Sequence, residues 1–227
     1  MKRRKQILLL YACLCHCVVN VSAQLHDTGA MTVLTFSKDM SRFADLEVEQ
    51  EFRFDNNMTS FRRSTTSLGF GYELVRDFLK INTGYDLICR DEENHYEMRH
   101  RVSVALNAQR KYLRTDFKIR TRLQSTYRDE NRGDYKFNPK YVWRNRMEVQ
   151  YNFFKLPLRP YASGEVLCPV NSRHGLFADE YRLTLGCKYR LTRKNTLDIS
   201  LRYDHEIQQV APENILYLNL GWKYKID

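Results

Sequence analysis

The sequence predicts an all-β chain folded as an antiparallel up-and-down transmembrane β-barrel of about ten strands in meander topology, with twelve strands as the alternative. Three observations predict it. Apolar and charged residues alternate with a period of two through most of the 227 residues. The connections between these segments alternate between short turns and longer charged loops. The first residues read as an export signal.

Residues 1–23 are expected to be a signal peptide. Lys2, Arg3, Arg4 and Lys5 form a basic head, Ile7 to Val19 an apolar stretch, and Val21-Ser22-Ala23 a small-residue cleavage site before Gln24. Removing the segment takes four basic residues and no acidic ones, so a formal charge of +10 falls to +6. It also takes Cys13, Cys15 and Cys17, leaving Cys89, Cys168 and Cys187. Three dispersed cysteines give neither a disulfide framework nor zinc spacing, and no cofactor or metal is expected. The basic residues are spread along every strand among acids, which argues against a nucleic-acid partner.

Residues 24–41 are read as a leader or an extra strand. Within them Met31 to Ser37 is ambiguous, and could pair with an edge, fold into the lumen or stay periplasmic. The barrel proper is assigned to residues 42–227. Leu46, Val48, Phe52 and Phe54 alternate with Glu47, Glu49, Glu51 and Arg53. Leu68, Phe70, Tyr72 and Leu74 alternate with Ser67, Gly69, Gly71 and Glu73. Leu79, Ile81, Tyr85 and Leu87 alternate with Lys80, Asn82, Gly84 and Asp86, and Val102, Val104 and Leu106 with Arg101, Ser103 and Ala105. The clearest case is 112–127, where Leu113, Thr115, Phe117, Ile119, Thr121 and Leu123 oppose Arg114, Asp116, Lys118, Arg120, Arg122 and Gln124. Tyr141 to Phe153 follows. A weaker strand over 157–168 carries Tyr161, Ser163 and Glu165 on its polar side. Three more follow, around Leu183 to Leu191, Leu197 to Tyr203 and Leu216 to Tyr224. Ten strands place both chain ends on the short-turn, periplasmic side.

Alternation alone leaves open which face is inside. The export signal, mid-strand glycines on the polar face and two aromatic belts favour the apolar face outward, toward lipid. Gly69, Gly71, Gly84, Ala105, Gly186 and Gly221, standing beside long Arg and Glu, would make room in a crowded lumen for large side chains. Mean hydropathy is −0.59, which suits a barrel, because only every second residue meets lipid.

Leu46-Glu-Val-Glu-Gln-Glu-Phe-Arg-Phe54, Arg144-Asn-Arg-Met-Glu-Val-Gln-Tyr151, Arg159-Pro-Tyr-Ala-Ser-Gly-Glu165 and the stretches Tyr181-Arg-Leu-Thr-Leu-Gly and Tyr203-Asp-His-Glu206 resemble the Bacteroidetes outer-membrane proteins grouped as domain-of-unknown-function family 2490. The resemblance runs over roughly 31–227. It implies an outer-membrane location and a barrel, and it carries no active site.

Six arginines on three adjacent strands are expected to form a basic cluster in the outer half of the lumen: Arg99, Arg101, Arg120, Arg122, Arg144 and Arg146. Glu165, Glu180, Asp204 and Glu206 are expected to form an acidic wall opposite. Such walls either set up a transverse field, as in a narrow ion-selective pore, or pair and seal the lumen; the sealed form is preferred. An outer-rim hydrolase would need a histidine held by a carboxylate. The candidates are His95 with Asp91 and Glu92, His174 with Asp179 and Ser172, and His205 between Asp204 and Glu206. None has a nucleophile motif around it, so no catalytic residue is assigned. The expected partners are outer-membrane lipid and lipopolysaccharide, the latter through Arg128, Arg132 and Lys136 of the longest loop, and the barrel-assembly machinery during biogenesis.

Overall fold

A computed structural model describes residues 27–92, 95–128, 139–154, 156–171, 177–207 and 214–226. The expected signal peptide, Ser172, His174, Arg132 and Lys136 lie outside the described residues. Eleven strands follow one another: β1 (Asp27–Asp39), β2 (Ala44–Asp55), β3 (Ser60–Val75), β4 (Leu79–Glu92), β5 (His95–Tyr112), β6 (Thr115–Arg128), β7 (Lys140–Tyr151), β8 (Leu158–Pro169), β9 (Glu180–Arg190), β10 (Asn195–Glu206) and β11 (Asn214–Ile226). Each pairs with its sequence neighbours, and β1 closes the barrel on β11. Among the described residues no helix is long and apolar enough to cross a membrane; a barrel crosses with strands.

The strand count and the wholly antiparallel sheet expected from the sequence are both corrected. An odd number of up-and-down strands leaves the first and last running the same way, so closure needs one parallel pair. That pair is β1–β11, in register from Asp27↔Ile215 to Lys38↔Ile226. The stretch around Met31 to Ser37 is therefore a full barrel strand. Its inward residues include Gly29, Met31, Thr35 and Ser37, which are buried. None is charged, and this is why the charged-face signal of the other strands is missing here.

The odd count also moves one chain end. Ile226 lies at the short-turn rim, where the Lys225 amide donates to the Lys194 carbonyl at 2.9 Å. Asp27 lies at the other rim. Its carboxylate accepts from the backbone amides of Asn56 and Asn57 at 2.7 and 2.9 Å. Asn56 and Asn57 have positive φ, which asparagine tolerates better than most residues. The expectation that both ends share the periplasmic side does not hold for the described chain.

Side-chain direction follows the alternation. Leu68, Val102, Val104, Ile119, Leu123, Leu185, Ile199 and Leu201 face outward, with Leu68 and Ile119 50% and 53% exposed. Arg53, Asp86, Gln124, Glu148, Glu165 and Asp204 are buried on the inner face. The apolar face therefore points away from the axis, with a charged interior. Closure satisfies the backbone groups that an open sheet edge would leave unpaired. Aromatic rings gather toward both rims. Phe36 meets Trp222 edge-on at 5.7 Å and Tyr151 meets Phe153 at 5.1 Å near the short turns; Phe54 meets Phe61 at 5.9 Å near the loops.

One reading of 112–127 shifts in detail. Leu113 stands in a two-residue turn between Tyr112 and Thr115, with φ 54°, and does not start the strand's outward face.

Candidate functional site

The interior is filled unevenly, and two tyrosines account for the filled part. On β11, Tyr217 is 1% exposed and packs with Met31 and Ile215. Arg53 of β2 lies over its ring at 4.8 Å and Arg202 of β10 at 5.3 Å. A β-carbon at Gly29 would stand 2.4 Å from that ring, so the ring occupies the space a side chain would need. On β8, Tyr161 donates to the Asp198 carboxylate of β10 at 3.0 Å, with the Lys188 ammonium 4.4 Å from its ring. Gly186 leaves room for it, since a β-carbon there would come 2.6 Å from the ring. The expected use of inward glycines is met at this position.

Opposite these rings a cavity of about 380 Å³ remains. One wall is β2, whose inward acids Asp45, Glu47, Glu49 and Glu51 form a ladder. The facing wall carries Arg101, Arg120, Arg122, Arg144 and Arg146, joined by Arg182. Ten basic and five acidic side chains line the cavity. A second cavity of about 290 Å³ lies toward the short-turn rim, and Lys80, Arg120 and Arg146 line both.

Glu165 is the centre of the arginine wall. It accepts from Arg120 at 2.9 Å and from Arg144 at 2.7 and 3.2 Å, and Arg182 approaches to 3.8 Å. Three strands thus share one carboxylate. Nearer the short turns, Glu148 is held by Lys118 at 3.1 Å, Lys188 at 3.3 Å and Arg146 at 2.7 Å. Buried charges are tolerable when paired in this way.

Five of the six expected arginines line the cavity; Arg99 does not. It pairs with Glu97 and, at 2.9 Å, with Glu92 near the loop rim. Arg120 and Arg146 are register partners near mid-height, below the outer half expected for them. The acidic wall needs correction. Glu165 sits within the arginine wall. Glu180 accepts from Arg182 at 2.6 Å, and Asp204 from Arg202 at 2.6 Å. Glu206 is half-buried at the loop end of β10, opposite Glu180 in register. The acids that face the arginines across the cavity are those of β2. Strand order explains the difference: in a closed ring of eleven, β2 stands across from β7 and β8, with β6 next to them. The alternation displayed Glu47, Glu49 and Glu51 as inward, but their opposite number depends on closure. Arg53, Arg63, Arg182 and Arg202 were legible in the same way and missed for the same reason.

Two charges in the cavity stand out among the described residues. Asp45 pairs with Lys80, Glu47 with Lys223, and Glu51 with Arg53 and Arg63. Glu49 has no basic partner at ion-pair distance; Thr35 donates to it at 3.4 Å. Arg122, on the far wall, has no carboxylate at that distance, and its Nε is buried with no hydrogen-bond partner.

The two histidine candidates among the described residues, His95 and His205, gain no catalytic setting. His205 can use neither neighbour, because Asp204 and Glu206 both point to the face of the strand opposite its own. Asp204 faces the lumen, while the His205 ring packs on Tyr181 at 4.7 Å and its Nδ1 meets the side-chain oxygen of Asn214. His95 is exposed at the start of β5. No group of three or more His, Cys, Asp and Glu among the described residues could hold a metal ion.

A closed sheet with an apolar outer surface and an ionised interior defines an outer-membrane-like β-barrel. The chain belongs to the family described as "Protein of unknown function (DUF2490)", whose model matches residues 28–214. A comparison with curated proteins gave no match. Among solved structures the chain is similar to the translocator domain of the autotransporter NalP from Neisseria meningitidis. The identity is 9% and the TM-score 0.40, over 74% of this chain and 70% of that one.

Proposed function

We propose that the protein is an outer-membrane β-barrel with a narrow, charge-filled lumen, acting through binding or its structural presence in the membrane and not through catalysis. One observation carries this reading: half-exposed Leu, Val, Ile and Phe side chains encircle the barrel while its ion pairs face the axis. Exposed apolar surface on that scale needs hydrocarbon around it. The loop rim, where Asn56 and the ends of β4, β6, β8 and β10 lie, is taken as the outer side. Lipid and lipopolysaccharide are its surroundings in this reading, and the barrel-assembly machinery inserts it.

The test is in two parts. Mature protein should remain unfolded or aggregate in plain buffer and fold in detergent or vesicles; a monodisperse folded monomer without detergent overturns the membrane reading. In planar bilayers the folded protein should give no steady openings. A narrow pore is the second reading, favoured by the excess of basic over acidic side chains around the cavity. It requires steady currents that select anions.

A further inference from the structure

The cavity has a chemical polarity that the ion pairs around it do not cancel. Arg101, Arg122, Arg144 and Arg182 come from four different strands, β5, β6, β7 and β9, and their side chains converge. Arg144 and Arg182 repel Arg101, as does Arg122. Like charges crowded together in a low-dielectric interior need an anion among them. Glu165 meets that need for Arg144, Arg120 and Arg182. Glu180 serves Arg182 at 2.6 Å, and Asp86 serves Arg101 only at 3.5 Å. No carboxylate among the described residues lies at ion-pair distance from Arg122; Glu49 acts on it only from across the cavity. An arginine fork suits phosphate because its donors match two oxygens at once. Across the cavity, half-buried Glu49 offers two acceptor oxygens with no cation on them. At about 380 Å³ the space falls within the range of small-molecule sites.

We infer that the cavity is a binding site for a phosphorylated sugar, with the phosphate on Arg122 between Arg101 and Arg144, and the sugar's hydroxyl or amino donors on Glu49. A sugar phosphate has the required dipolar pattern: an oxyanion at one end and hydrogen-bond donors at the other. This goes beyond the membrane reading, since it holds whether or not the lumen conducts.

The experiment is calorimetric titration of the full mature chain, folded in a non-ionic polyoxyethylene detergent at constant ionic strength. Glucose 6-phosphate, glucosamine 6-phosphate, inorganic phosphate and glucosamine are the probes. Saturable binding of both sugar phosphates, tighter than inorganic phosphate, is expected, with glucosamine alone giving no signal. Arg122→Gln should weaken both sugar phosphates at least about tenfold, as expected for losing a charge-assisted hydrogen bond. Glu49→Gln should weaken the sugar phosphates and leave inorganic phosphate unchanged. If Arg122→Gln does not insert, Arg122→Lys keeps the charge, loses the fork, and should show a smaller weakening. A folded barrel that binds no phosphate compound saturably, or whose Arg122 variants bind as tightly as the wild type, overturns the site. Equal affinity for phosphate and its sugar esters, with no effect of Glu49→Gln, overturns the sugar assignment. Failure to fold in detergent at all strikes the membrane reading, and is seen before any ligand is added.

Discussion

The guanidinium of Arg53 lies 4.8 Å from the centre of the Tyr217 ring, which brings β2 and β11 together across the inward face of β1. Arg202 reaches the same ring from β10 at 5.3 Å. A cation over an aromatic face is worth about 0.5–2 kcal/mol, more when water is excluded. The ring needs the space above Gly29, where a β-carbon would also approach the Phe54 carbonyl to 2.7 Å. Gly29→Ala should therefore destabilise the folded barrel by about 1–3 kcal/mol. Urea unfolding in vesicles, followed by tryptophan fluorescence, measures it. An unchanged midpoint would mean that Tyr217 does not fill that space.

Glu165→Gln removes the carboxylate shared by Arg120, Arg144 and Arg182. Taking away one partner of a buried ionic set leaves the others uncompensated, at a cost of about 3–5 kcal/mol. The same unfolding assay should show a large loss. Glu206→Gln, at the half-buried loop end of β10, should cost less than about 1 kcal/mol.

Leu113 occupies the first position of the two-residue β5–β6 turn with φ 54° and is 80% exposed. That backbone conformation strains a residue with a β-carbon by about 1–3 kcal/mol, and glycine is the usual occupant of such a position. Leu113→Gly gives back part of the relief through greater freedom of the unfolded chain. A net stabilisation of about 1 kcal/mol is expected. A lowered urea midpoint would show that Leu113 contributes contacts worth more than the strain.

The two rims should differ in accessibility. In a background with Cys89, Cys168 and Cys187 replaced by serine, Asn57→Cys lies at the loop rim and Arg193→Cys at the short-turn rim. A membrane-impermeant maleimide applied to whole cells should label the first and not the second; permeabilised cells should show both. The reverse pattern would invert the barrel. Because Asp27 is bonded beside Asn57, a label at residue 27 should follow the loop rim.

The local chemistry was legible from the chain. Ten of the eleven strands, the outward direction of Leu68 or Ile119, and the inward direction of Arg122 or Glu165 follow from a period of two. That period is a property of each strand alone, set by the alternating directions of successive β-carbons. Gly186 was legible as a space-maker for a large neighbour, though not that the neighbour is Tyr161. β1 was missed as a barrel strand because its buried lumen-facing residues Gly29, Met31, Thr35 and Ser37 carry no charge; Gly29 and Met31 lie against Tyr217.

The sequence by itself determined a β-barrel with ionised residues on one face and lipid-compatible residues on the other. The tertiary structure decided that eleven strands close through a parallel β1–β11 pair, that β1 starts and β11 ends at opposite rims, and that Glu49 looks across at Arg122 while Glu165 sits among arginines. The reason is geometric. Alternation assigns a face to each residue from its own strand, whereas which residues meet across a lumen depends on how many strands complete the circle.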